Sequence, residues 1–161
     1  MSIKEIEDKP SLKLTRFCGE EIFPIVEAVW YINEEENELN SLWLEIHAGI
    51  GTTCEDTNDE EVEPVWQLTY NAENLNEKDL QAGYKIEIPD GDEDVSDNVT
   101  NFYYFEHEPT HNNTIEILER KDKKLLIRIV GEVTDVNYYD GSKPDNKISV
   151  ETWFEYGLSK L

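Results

Sequence analysis

Short runs of alternating apolar and polar residues recur along the chain, and the three-to-four spacing of an amphipathic helix is nowhere sustained beyond two turns. Leu12, Leu14 and Arg16 alternate with Lys13, Thr15 and Phe17, which predicts an early strand. The stretch from Ile22 to Ile32 reads two ways. Ile22, Val26, Val29 and Trp30 would line a helix opened by Pro24, whereas Val26, Ala28, Trp30 and Ile32 alternate as a strand, and the strand reading is preferred. A polar run from Asn33 to Asn37 follows. Leu42, Leu44, Ile46 and Ala48 then alternate against Trp43, Glu45 and His47, so the two runs form a hairpin with Trp43 on the face opposite the leucines.

Residues 52–63 are acidic and aperiodic, which predicts a loop; Trp66, Leu68 and Tyr70 resume one face of a strand. One short helix fits between Glu73 and Leu80, with Gly83 as its stop. Tyr84, Ile86 and Ile88 form another strand, which Pro89-Asp90-Gly91-Asp92 ends as a turn. Phe102 and Tyr104 face away from Tyr103 and Phe105, and a strand buried on two sides or lying beneath a loop is expected there. Residues 114–118, 125–136 and 148–156 complete the set. Leu125, Ile127, Ile129 and Val133 point inward, and Gly131 allows a bulge or a close approach. Without recurring helices between the strands, a βαβ design is disfavoured. The expected fold is all-β: a two-sheet antiparallel β-sandwich, or a related barrel, of eight or nine strands with at most one short helix. The 161 residues suit a single acidic domain spanning 1–161, with residues 1–10 as a flexible N-terminal segment.

Charge adds a second pattern to the first. The formal net charge is -23, yet residues 17–77 contain no Lys or Arg against 16 Asp and Glu, and residues 86–119 contain none against 10. From Arg120 onward, 8 basic residues meet 7 acidic ones. A broad negative field repels nucleic-acid phosphates and anionic lipid surfaces, so neither a nucleic acid nor a membrane is the expected partner. The same field speeds encounter with a basic protein at low salt, although high acidity also serves solubility alone. The start of the chain has no apolar signal-like run and no segment has the length of a membrane span, which makes the cytoplasm the expected location. Asn98-Val99-Thr100 and Asn112-Asn113-Thr114 match the glycosylation pattern by chance on this reading. Cys18 and Cys54 have no CxxC spacing and are expected as free thiols.

Candidate chemistry is sparse. The residues expected to bind a partner are Trp43, Tyr138 and Tyr139 as aromatic anchors, with Glu55, Asp56, Asp59, Glu60 and Glu61 as steering carboxylates. Asp90, Asp92, Asp94 and Asp97 begin as Asp-x-Asp-x-Asp and offer oxygen ligands for weak calcium binding, without the glycine and helices of the helix-loop-helix calcium motif. No cofactor is otherwise expected. His47, His107 and His111 have no metal-ligand spacing, and no nucleophile motif or phosphate loop occurs. In size, acidity and lack of a catalytic motif the chain resembles the immunity proteins that bacteria pair with secreted toxins, which implies neutralisation of a basic protein. The alternatives are a carbohydrate- or cation-binding module, a structural or oligomer-forming domain, and a hydrolase built on paired carboxylates.

Overall fold

The computed structural model describes residues 9–34, 39–57 and 60–161. Its strands are β1 (Ser11–Arg16), β2 (Gly19–Asn33), β3 (Asn40–Ala48), β4 (Val65–Ala72), β5 (Lys85–Asp90), β6 (Val99–Tyr103), β7 (His107–Pro109), β8 (His111–Lys121), β9 (Lys124–Val133) and β10 (Asn146–Tyr156). They form one sheet in the order β5-β8-β9-β10-β1-β2-β3-β4-β6-β7, and every pair of neighbours in that order is antiparallel. A short parallel contact also joins β10 to β2, with Glu155 opposite Val29 and Tyr156 opposite Trp30. The all-β expectation holds. Among the described residues there are ten strands rather than eight or nine, because β7 has only three residues and is too short to display a period.

Alternation accounts for the burial. Leu42, Leu44, Ile46 and Ala48 of β3 are buried while Trp43 is 46% exposed, and Leu125, Ile127, Ile129 and Val133 of β9 are buried as expected. One hydrophobic core collects residues from both ends of the strand order, including Ile86 and Ile88 of β5, Trp66 of β4 and Phe102 of β6. Gly131 serves a close approach. A Cβ there would lie 2.4 Å from Asn113 Oδ1 and 2.9 Å from Trp66 Cζ2, so the β9 backbone and the Trp66 indole meet only because that side chain is missing. Trp30 and Trp66 are fully buried, whereas Trp153 shares with Trp43 a half-exposed position.

The fifteen-residue β2 is the strand that serves both neighbours. Its first part pairs with β1 and its later part with β3, and the register shifts between Ile25 and Glu27. Glu21 and Phe23 point inward before this bulge, and Ala28, Trp30 and Ile32 after it, so the buried parity changes from odd to even. Val26, expected on the inward face, lies at the irregularity and is 62% exposed.

Other expectations need correction. The short helix is a single 3-10 turn at Glu77–Asp79. Pro89 and Asp90 belong to β5 rather than to the turn. The aromatic run is covered unevenly: Phe102 and Tyr104 are buried and Phe105 is partly buried against the core, while Tyr103 is 38% exposed. Cys18 and Cys54 are not free thiols but form a disulfide, with Cα atoms 5.8 Å apart. Mutual backbone hydrogen bonds between Ile22 and Thr52 bring the loop after β3 against the β1–β2 turn, a proximity that cysteine spacing does not encode. Closing a loop across 36 residues stabilises the fold by roughly 4 kcal/mol in the chain-entropy account. The flexibility expected of residues 1–10 falls mainly on residues outside the described ones. Pro10 itself accepts a backbone hydrogen bond from Ile25.

Candidate functional site

Placing the charges on the strands turns the sequence pattern into a spatial one. Strands β2, β3, β4, β6 and β7 lie side by side and carry no Lys or Arg. The adjoining flank of β5, β8, β9, β10 and β1 carries Lys13, Arg16, Lys85, Arg120, Lys121, Lys124, Arg128 and Lys147, nearly matched by its own carboxylates.

On the Lys/Arg-free flank, register aligns the outward side chains in rows. Tyr31, Trp43 and Thr69 form one, Val29, Glu45, Gln67 and Asn101 the next, and Glu27, His47, Val65, Tyr103 and His107 the third. A hollow of about 370 Å³ beside Trp43 is bordered by Glu45, Gln67 and Thr69. It shares Glu45 and Gln67 with a second hollow of about 290 Å³ that reaches His47, Asn101, Tyr103 and His107. The result is a shallow groove crossing β3, β4 and β6 to reach β7, with Trp43 toward one end and Tyr103 toward the other. Gln67 Nε2 donates to Glu45 Oε1 at 2.6 Å and fixes the carboxylate in the groove floor. Trp43 meets Tyr31 edge-on at 6.3 Å, and Tyr31 in turn lies 6.0 Å from Tyr156. The larger hollow of about 600 Å³ lies elsewhere, in the wedge between β2 and β10 beyond the start of β1, and its lining includes Lys160.

Two of the remaining predicted residues, Glu55 and Tyr138, meet at a second place, around Arg16. This side chain is inward on β1, in phase with Leu12 and Leu14, and is only 6% exposed. Its Nε and Nη2 donate to the two oxygens of Asp135 at 3.0 and 2.9 Å; Nη1 donates to Glu21 at 3.1 Å and Nη2 to Glu55 at 2.5 Å. Three carboxylates for one guanidinium would be unbalanced, but neutral donors share the load. Tyr104 OH and the Cys54 N–H both donate to Glu21 at 2.8 Å, and Tyr138 OH donates to Glu55 at 3.1 Å. Burial alone would lower the Arg16 pKa, but the hydrogen bonds it donates to Asp135 and Glu55 outweigh it and raise the value. Burial works in the opposite sense on Glu55, where the Arg16 and Tyr138 hydrogen bonds prevail and hold the carboxyl below the ordinary glutamate range. Tyr104 is pushed up by burial and by the Glu21 charge.

No protein-family model, curated protein or solved structure matches this chain. Its own geometry therefore carries the functional argument.

That geometry separates residues the sequence grouped. Trp43 lies six residues before Gly49, roughly 20 Å along an extended strand from where the acidic loop departs. Glu55 is engaged by Arg16, and Tyr138 packs edge-on against Phe17 with Lys143 over both rings. Tyr139 is half-buried, and its hydroxyl accepts the Glu106 N–H at 3.1 Å. Asp56, Glu60 and Glu61 are exposed in the loop, and Asp59 lies outside the described residues.

The four aspartates considered for calcium do not converge. Asp90 accepts the Asp92 N–H and Asp92 the Asp94 N–H, each at 3.0 Å, as carboxylates do when they order a turn, while Asp94 and Asp97 are exposed. Among the described residues, the group whose ligand atoms could hold a metal ion is His111, Glu132 and Asp145, all within 4.8 Å of one another. Sequence spacing missed it because the three residues come from the start of β8, the end of β9 and the position before β10. Arg16 had a visible signal, a charge in the inward phase of a strand; its partners Glu21 and Asp135 had none. Among the described residues, no helix is long and apolar enough to cross a membrane.

Proposed function

We propose that the protein is a non-catalytic binding module that takes a basic segment of a partner protein along the groove between Trp43 and Tyr103. The observation that carries this reading is the half-exposed Trp43 at the end of a groove with Glu45 in its floor, on a flank whose strands contain no Lys or Arg. An aromatic face and a fixed carboxylate suit a Lys or Arg side chain, through cation–π attraction and a charge-assisted hydrogen bond. Glu60 and Glu61 extend the negative field and speed encounter. Immunity-like neutralisation of a basic toxin is the form of this function that the size and charge favour. Within the same reading, the continuous sheet is taken as two flanks packed face to face, as in a β-sandwich; the Trp66 contact with Gly131 supports it.

Gln67, Thr69 and Asn101 supply neutral hydrogen-bonding groups between the two aromatics, which favours a neutral glycan as the second reading. The disulfide bears on location. Such bonds persist in oxidising compartments, so a cytoplasmic protein would hold Cys18 and Cys54 reduced.

Titration of tryptophan fluorescence with a Lys/Arg-rich peptide containing one aromatic, and separately with a neutral oligosaccharide, tests both readings. Peptide association that slows steeply between about 0.05 and about 0.5 M salt supports the basic partner. Salt-independent binding of the sugar alone supports the glycan, and no saturable response to either rejects the groove. Co-purification with a basic product of a neighbouring gene would supply the partner itself.

A further inference from the structure

We propose that His111, Glu132 and Asp145 form a binding site for a zinc-class divalent cation. His111 opposes Glu132 across the β8–β9 ladder, and Asp145 stands one residue before β10, where Asn146 pairs with Val133. Three strand ends thus bring an imidazole nitrogen and two carboxylate oxygens together. His111 Nε2 lies 2.9 Å from Asp145 Oδ2 and 3.7 Å from Glu132 Oε2. Ligands about 2.0–2.2 Å from a tetrahedral zinc stand roughly 3.3–3.6 Å from one another, so small side-chain adjustments admit the ion.

The electrostatics point the same way as the geometry. Among the described residues, neither Glu132 nor Asp145 has a Lys or Arg within ion-pair distance, and His111 is the one basic side chain that meets them. The imidazole Nε2 carries at most one N–H, enough for Asp145 but not for both carboxylates. A divalent cation in place of that proton satisfies all three groups and neutralises the two negative charges. The side chains are 33–44% exposed, so an ion and its remaining water ligands can reach them. Two flanking charges act in opposite senses: Asp90, opposite His111 on β5, favours a cation, and Lys147, opposite Glu132 on β10, opposes it. The imidazole decides the class of ion. Calcium takes six to eight oxygen ligands, whereas a nitrogen with two carboxylates suits zinc and its borderline neighbours.

Calorimetric titration of the full chain with zinc chloride, then with calcium and magnesium chlorides, tests the site. One zinc per chain is expected, with calcium at least about 10-fold weaker. His111→Ala and Asp145→Asn should each weaken zinc by about 10-fold or more, and Lys147→Ala should tighten it. In proton resonance spectra, zinc should shift the His111 ring signals before those of His47 or His107. The proposal is overturned by the absence of saturable zinc binding, by equal binding to zinc and calcium, or by first shifts at His47 or His107. It is equally overturned if the variants keep wild-type affinity. Circular dichroism checks that each variant is folded; should His111→Ala unfold, Asp145→Asn and Lys147→Ala decide the matter.

Discussion

The two flanks of the sheet handle charge in different ways. On the mixed flank, Arg128 of β9 meets Glu151 at 2.8 Å and Glu116 at 3.8 Å while half of its side chain remains in solvent, and Lys124 reaches Glu155 in the open. The strands of the other flank have no Lys or Arg of their own, and their part-exposed basic contact is His47 with Glu45 at 3.3 Å. Among the described residues, the ion pair that joins β2 to a Lys or Arg is buried, formed by Glu21 and the Arg16 that β1 delivers from across the boundary. Exposed pairs gain little because water competes for both partners, while a buried pair becomes indispensable once formed, since removing one member strands the other in a poor solvent. At the boundary between flanks the charged contact is therefore a buried cluster around Arg16 set beside the β1–β2 ladder, and the outer face of the Lys/Arg-free flank keeps its acids unbalanced by strand-borne Lys or Arg.

The largest test of that contrast is Arg16→Ala. It leaves Glu21 and Asp135 fully buried without their cation, and urea denaturation should report a loss of about 3–5 kcal/mol. Next in size is Trp43→Ala, which should weaken capture of the basic peptide by about 2 kcal/mol, roughly 30-fold by titration, while changing unfolding stability by less than about 1 kcal/mol. An equal loss in both measurements would assign Trp43 to the fold and not to the groove. Arg128→Ala should cost no more than about 1 kcal/mol, and less still at about 0.5 M salt; a loss approaching that of Arg16→Ala would erase the distinction between the flanks. The smallest effect concerns pH. Because Glu55 is held below the ordinary glutamate value when folded, its contribution is complete above the unfolded value and is lost as pH falls through the folded one. The stability gap between wild type and Glu55→Gln, followed by denaturation from about pH 6 to about pH 2, should therefore narrow toward acid. A gap that widens there would contradict the Arg16–Glu55 link.

Much of the fold was legible because a half-buried strand writes its period into its side chains. Leu12, Leu14 and Arg16 face inward as their alternation requires, and Trp43 faces outward opposite Leu42 and Leu44. The period fails where the backbone does. Val26 shares the parity of Trp30 and yet is exposed, since it sits in the β2 bulge itself. β7 is shorter than one readable period, and the Cys18–Cys54 bond depends on loop packing that no local pattern records. The candidate sites were less legible for a similar reason. Trp43 stood out by its parity alone, whereas the Arg16 cluster and the His111 cluster each join residues far apart in sequence, and only the strand order makes them neighbours.

The bulge in β2 has a consequence for which changes of length this protein can tolerate. Seven steps separate Phe23 from Trp30, an odd number between two residues that both face the core. A regular strand joins inward positions by even steps, so one extra residue is hidden in the corner where β2 leaves β1 for β3. Loss of a residue there would straighten the strand and keep both aromatics inside, at the expense of the turn between its two partners. Loss of a residue just beyond the corner, before Trp30, is a different matter: with the bulge kept, it would rotate Trp30 into solvent and Tyr31 into the core. The corner thus acts as a frame marker, and the chain on either side can vary in composition far more freely than in count.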